Sequence, residues 1–292
     1  MTERPNLLPG AFAGTAAAYA RYRPPYPETL TRDLIERAAV GRQGALLDLA
    51  CGPGRVALEL AASFRSVWAI DLEPEMVDVG RQEATRRAID NVTWYVGRAE
   101  DLAAPAEAFD LITIGEAFHR LDQALIAEKA LDWLRPGGCL ATLGGVGILD
   151  GREPWQTMVA QVAHRWMARA FPGGWGVARV GSEVGPGSQE RVIRGAGFIE
   201  VTERTFGAPR DWTFAEILGY LQSTSVCSRK ALGDDFEAFA AELRAVLLEQ
   251  APSLTFHETQ RFSYTLARKP RRPEGWHPGQ EKGPPPGKGE GP

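Results

Sequence analysis

Residues 46–55 read LLDLACGPGR: an apolar run carrying Asp48 leads into Gly52-Pro53-Gly54, and helix-forming residues follow at once. Gly52, Gly54 and Ala57 fit a G-x-G-x-x-A spacing, and Asp71 closes the next apolar run, SVWAID. Glycines at such a turn let the backbone approach a ligand with no Cβ in the way. An acid one strand over accepts hydrogen bonds from the two hydroxyls of a ribose. That pair of features suits any adenosine-bearing cofactor. A phosphate-cradling P-loop is excluded, because Gly54 is followed by Arg55-Val56 and not by Gly-Lys-Ser/Thr. Asp48, four residues before Gly52, is expected to point an anion into the glycine pocket. Such an anion repels a pyrophosphate and favours a cofactor bearing an ammonium and a sulfonium, as S-adenosyl-L-methionine does.

Further along, His119 offers an imidazole that could take a proton or position an acceptor. Its neighbour Arg120 either brings a cation to an acidic substrate or stands as a solvated residue. Near the start, Tyr19, Tyr22, Arg23 and Tyr26 lie among prolines; Arg23 suits a carboxylate of cofactor or substrate, or else belongs to a packed arm.

The elements that must position these groups alternate. A helix is expected from Pro27, with Leu30, Leu34, Ile35 and Ala38 on one face. Strands follow at 45–49, 66–71, 92–96, 109–114 and 139–143, separated by helices at 56–64, 74–88 and 124–134, the last stopped by Pro136-Gly137-Gly138. This alternation implies a parallel sheet with helices on both faces and ligand-binding loops along one edge. Trp155, Val159, Val162 and Trp166 form a helical stripe that reads as core. A strand at 199–206, helices at 214–224 and 236–249, and a final strand at 260–268 complete the pattern.

The chain has 292 residues, 44% hydrophobic and 24% charged, with net charge −4 and mean hydropathy −0.23. No basic field exists to hold a polyanion, so nucleic acid is not an expected partner. No run has the length of a membrane span. Cys51, Cys139 and Cys227 lack the spacing of a zinc site or a disulfide framework. A reduced, cytoplasmic chain without a metal is the expectation. The stretch 7–20 is too broken by Pro9, Gly10 and Gly14 to read as a signal peptide. Thirteen of the last 23 residues are Gly or Pro, the composition of a disordered tail over 270–292.

Taken together, these motifs resemble the class I S-adenosylmethionine-dependent methyltransferases, in the small-molecule group that includes trans-aconitate methyltransferase. LLDLACGPGR resembles the first cofactor motif and AIDLEPEMV the second, which implies Asp71 as ribose acid and Leu72 as adenine neighbour. GRAEDLAAP resembles the adenine-contacting motif, with Ala99 and Glu100 at the base. FDLITIGEAFHRLD resembles the fourth strand and its loop, placing Gly115 among the cofactor contacts and His119 near the methyl. LRPGGCLATL resembles the turn into the fifth strand. The resemblance is strong over 46–143. It implies a Rossmann-like, mostly parallel seven-stranded sheet with the last strand antiparallel. It also implies a lid over 1–26, a cofactor-binding core over 27–149, and a helical insertion with the last two strands over 150–269, all one domain. The implied reaction is in-line methyl transfer to a small molecule, at oxygen and in one version at a carboxylate. Two alternatives stay open: a non-catalytic protein of this fold that works through a partner, and an NAD-dependent oxidoreductase.

Overall fold

In the computed structural model, residues 10–172 and 187–273 are described; most of the glycine-rich tail lies outside them, as do residues 1–9 of the arm. The strands β1 (Ala45–Leu49), β2 (Ser66–Asp71), β3 (Val92–Val96), β4 (Phe109–Gly115) and β5 (Leu134–Gly145) pair in parallel. Between them run the helices α3 (Arg55–Leu60), α4 (Pro74–Arg86) and α5 (Gln123–Trp133), after α1 (Ala16–Tyr22) and α2 (Glu28–Ala38). The later elements are α6 (Pro154–Ala170), α7 (Ser188–Gly195), β6 (Ile199–Thr213), α8 (Phe214–Gln222), α9 (Arg229–Leu232), α10 (Phe236–Gln250) and β7 (Thr255–Arg268). The seven-stranded sheet has the order β3-β2-β1-β4-β5-β7-β6, and β7 runs antiparallel to both neighbours. The expected Rossmann-like class I methyltransferase topology is therefore present.

Both faces of the central strands are covered, so their sequences are mostly apolar and successive side chains serve opposite cores. Leu46 packs with Leu30, Leu34, Val56 and Leu60 on one face, whereas Leu47 packs with Ile126, Ala130 and Trp133 on the other. A third core lies among the later helices, where Trp155, Val159, Val162 and Trp166 of α6 meet Trp212, Leu243 and Phe256. The strand order reverses between β1 and β4, and the loops after these two strands open the crevice in which the site lies.

Several boundaries differ from the sequence expectation. The helix expected over 56–64 ends at Leu60 and tightens into a 3₁₀ turn, Ala61–Ser63. The segment Pro136-Gly137-Gly138 belongs to a strand that begins at Leu134. There the Gly137 N–H donates to the Lys269 carbonyl (3.1 Å), and Lys269 N–H donates to that of Gly138 (2.8 Å). Both last strands are longer than expected and form a long antiparallel ladder from Thr213↔Thr255 inward, with α8, α9 and α10 between them in the chain.

Candidate functional site

The loop after β1 turns through left-handed backbone at Gly52 (φ 56°) and Gly54 (φ 80°). A Cβ at Gly52 would meet only Tyr19, at 3.9 Å, so this glycine faces the site. Gly54 instead serves packing, since its Cβ would lie 2.5 Å from the Trp94 ring; glycine here lets α3 start against β3. Asp71 fastens the loop. Its carboxylate accepts from Gly52 N–H at 2.7 Å and from Glu73 N–H at 2.9 Å. Burial raises the Asp71 pKa, and the amides pull against that rise.

A cavity of about 130 Å³ lies above this loop, lined by Gly52, Asp71, Leu72, Ala99, Glu100 and Gly115. These six of the eight cofactor residues expected from the sequence come from the ends of β1, β2 and β4 or from the 3₁₀ turn after β3, Ala99–Asp101. Glu100 is buried; it accepts from Asp122 N–H at 3.1 Å and pairs with Arg98 at 3.5 Å. Phe12, Tyr19, Glu116, Ala117 and Arg120 form a wall shared with a larger cavity of about 720 Å³ that contains His119. His119 is open to solvent within that cavity while protein surrounds much of the ring. Burial, and then Arg120, lower its pKa, which favours the neutral imidazole.

Asp48 corrects the electrostatic argument built on it. Its side chain is fully buried, accepting from Thr113 Oγ1 at 2.7 Å and from Ala57 N–H at 3.1 Å. Desolvation pushes its pKa up to about 7. It ties β1 to β4 and to the start of α3, and reaches only a small pocket of about 20 Å³ shared with Tyr19, Tyr26 and Arg55. A bare anion in the glycine pocket is not what this arrangement provides.

Arg23 likewise has partners within the protein. Its guanidinium donates to Ser223 Oγ (2.8 Å), Tyr220 Oη (3.0 Å) and Glu116 (3.4 Å), and lies over the Tyr19 ring at 4.9 Å. Arg55 approaches the same Glu116 oxygen at 3.9 Å and donates to the Pro24 carbonyl. The arm that carries Tyr19 is held at its base by Glu73, which accepts from Gly10 N–H at 2.7 Å, and by Glu75, which accepts from Gly14 N–H at 2.7 Å. Glu116, Arg55 and Tyr220 were missed from the sequence. Only Glu116 left a local signal, as an acid directly after the fourth strand; here it holds a left-handed φ of 53°. Arg120 is not a solvated residue: it lines both cavities, with its guanidinium 4.6 Å over the Phe12 ring.

A family model described as a methyltransferase domain matches residues 46–138, the stretch that builds the smaller cavity. Among curated proteins, an uncharacterized methyltransferase of Mycobacterium bovis is 29% identical over 155 residues, covering 53% of this chain and 59% of that protein. A ubiquinone biosynthesis O-methyltransferase of Xanthomonas axonopodis pv. citri is 35% identical over 133 residues, covering 44% and 52%. The chain thus spans between half and three-fifths of these relatives. Among solved structures, the YcgJ protein of Bacillus subtilis aligns with a TM-score of 0.54 at 16% identity, over 83% of this chain and 98% of that one, a likeness in fold. Strand order, matched domain and methyltransferase relatives agree: residues 46–138 match a methyltransferase domain, and the chain has the fold of the class I S-adenosylmethionine-dependent methyltransferases.

Proposed function

We propose that this protein transfers a methyl group from S-adenosyl-L-methionine to an oxygen of a small molecule held in the larger cavity. The observation that carries this reading is the wall shared by two cavities of different character. One is a crevice of glycine backbone and acids at the strand reversal; the other is a roomier chamber with an imidazole whose neutral form is favoured. The residues present fit the cofactor. Gly52 leaves backbone open to a ligand, and Asp71 retains lone pairs for ribose hydroxyls after accepting two amides. Leu72 and Ala99 supply apolar contact for a base, with Glu100 beside them. When bound, the cofactor supplies a methyl group already activated on a sulfonium.

The protein's own work is alignment and exclusion of water. The arm bearing Phe12 and Tyr19 roofs the crevice, and Arg23, locked by Glu116, Tyr220 and Ser223, fixes the arm's far end. His119 can accept the proton of a hydroxyl acceptor, whereas a carboxylate needs no base. Oxygen as the accepting atom is supported by the O-methyltransferase relative. In this reading residues 27–149 hold the cofactor and 150–269 shape the acceptor side of the same domain.

Calorimetric titration with S-adenosylhomocysteine and with NAD tests the proposal. The homocysteine compound should bind and NAD should not; the reverse pattern would overturn the reading. Asp71→Ala should weaken S-adenosylhomocysteine binding by about 1–3 kcal/mol, the range for losing hydrogen bonds to a charged acceptor.

A further inference from the structure

We propose, on the basis of the methyl-transfer reading, that the acceptor is an organic acid and that Arg120 selects it by holding its carboxylate. The charges around the shared wall lead there. Among the described residues near the two cavities, Arg23 and Arg55 share Glu116, and Arg98 has Glu100 and Asp101. Arg120 has no carboxylate within 4.0 Å among the described residues; it lies on the Phe12 ring. The groups that act on it electrostatically are Tyr19 and a second cation, Arg23, while burial and Arg23 both disfavour its charge. A partly desolvated guanidinium facing a ligand space without a counter-ion is costly unless a ligand supplies the anion.

The acids of the larger cavity do not fill that role. Glu116 is committed to the two arginines, and Glu190 pairs with Arg194 at 2.8 Å. Glu203 lies on β6, three strand positions from β4, so about 14 Å away across the sheet. Asp150 stands in the turn beyond β5, beside Tyr220. The cofactor adds a second reason. Bound in the smaller cavity, whose wall Arg120 also forms, it would bring a second positive charge near Arg120, which a neutral acceptor would leave unbalanced. An acceptor with a carboxylate between them is attracted to both. The planar fork of arginine matches a carboxylate with two parallel hydrogen bonds.

The test uses the full chain saturated with S-adenosylhomocysteine and a panel of matched acids and primary amides: aromatic, aliphatic and dicarboxylic. Binding is read by calorimetry. At least one acid should bind about tenfold more tightly than its amide. Arg120→Gln should abolish that preference, and Arg120→Lys should retain part of it. Both variants should keep the wild-type far-ultraviolet circular dichroism and a cooperative thermal transition, which reports that they fold. The proposal is overturned if no acid is preferred, if the preference survives in Arg120→Gln, or if that variant loses S-adenosylhomocysteine binding, which would assign Arg120 to the cofactor. Failure of the wild-type protein to bind S-adenosylhomocysteine would instead sink the methyl-transfer reading.

Discussion

Asp48 and Asp71 stand on adjacent strands, yet their surroundings give them different work. Asp71 lies at the open edge, with lone pairs to spare for a ligand. Asp48 is enclosed, and its pKa near 7 means that ionising it works against the fold. Because the folded protein holds this proton more tightly than the unfolded chain, the contribution is favourable at low pH. It is lost as pH rises from about 4 through about 7. Moving a carboxyl from 3.8 to about 7 corresponds to roughly 4 kcal/mol at most. Asp48→Asn keeps an acceptor for the Ala57 N–H and removes the ionisation. Its Tm relative to wild type should therefore climb between pH 4 and pH 8, by about 2–4 °C for each kcal/mol; a flat difference would mean that Asp48 is ionised at no cost. At His119 the sign runs through activity. With a hydroxyl acceptor, His119→Ala should lower kcat by about 10²–10⁴ while sparing affinity for S-adenosylhomocysteine. Since burial and Arg120 depress its pKa, the acid limb of the wild-type pH–rate profile should fall below the usual histidine value of 6.5. A limb above that value would remove His119 as the base.

Among the elements, those that build the crevice were legible because each carries its own pattern. A strand covered on both faces is an apolar run, a glycine turn follows it, and an acid closes the next strand. The antiparallel pair of β6 and β7 was only half legible. The strand expected over 199–206 stops short of Gly207 and Pro209, yet β6 runs through both, because it is the edge of the sheet, where proline sacrifices no ladder bond that the edge requires. The network of Arg23 with Glu116 and Tyr220 was not legible at all, since the partners are 93 and 197 residues apart in the chain. Docking of the arm onto α8 is equally remote in sequence and hangs on one small residue. Gly219 allows the Tyr22 ring to lie where a Cβ would come within 2.4 Å of it. Alanine there suits the helix itself but forces the ring away, an overpacking cost of about 1–3 kcal/mol borne by the arm. Gly219→Ala should therefore speed dissociation of S-adenosylhomocysteine by about five- to a hundredfold and raise amide exchange over α1, with little change in Tm. An unchanged dissociation rate would show that the arm does not retain the ligand.

At the scale of the whole molecule, three buried thiols report on different regions. Cys51 lies in the glycine loop and Cys139 in β5, both in the core on the α2–α3 face of the sheet, whereas Cys227 is in the core of the later helices. If the helical layer opens without disturbing the cofactor crevice, ligand should protect it less than it protects the sheet. A ligand that binds only the folded site suppresses an opening that destroys the site in proportion to its saturation, about a hundredfold at one hundred times Kd. Openings that leave the site intact are not suppressed. The helical layer packs on the outer ends of β6 and β7 at Trp212 and Phe256, beyond the residues of β7 that pair with β5, and meets the arm through the Tyr22 ring on Gly219, Arg23 to Ser223 and Tyr220, and Lys230 Nζ to the Gly10 carbonyl at 2.9 Å. Alkylation followed by peptide mass spectrometry should thus show modification of Cys51 and Cys139 slowed by nearly the full factor at saturating S-adenosylhomocysteine. Cys227 should be slowed markedly less. Equal slowing at all three thiols would mean that the arm joins sheet and helical layer into one cooperative unit, so that residues 150–269 cannot move independently to admit an acceptor.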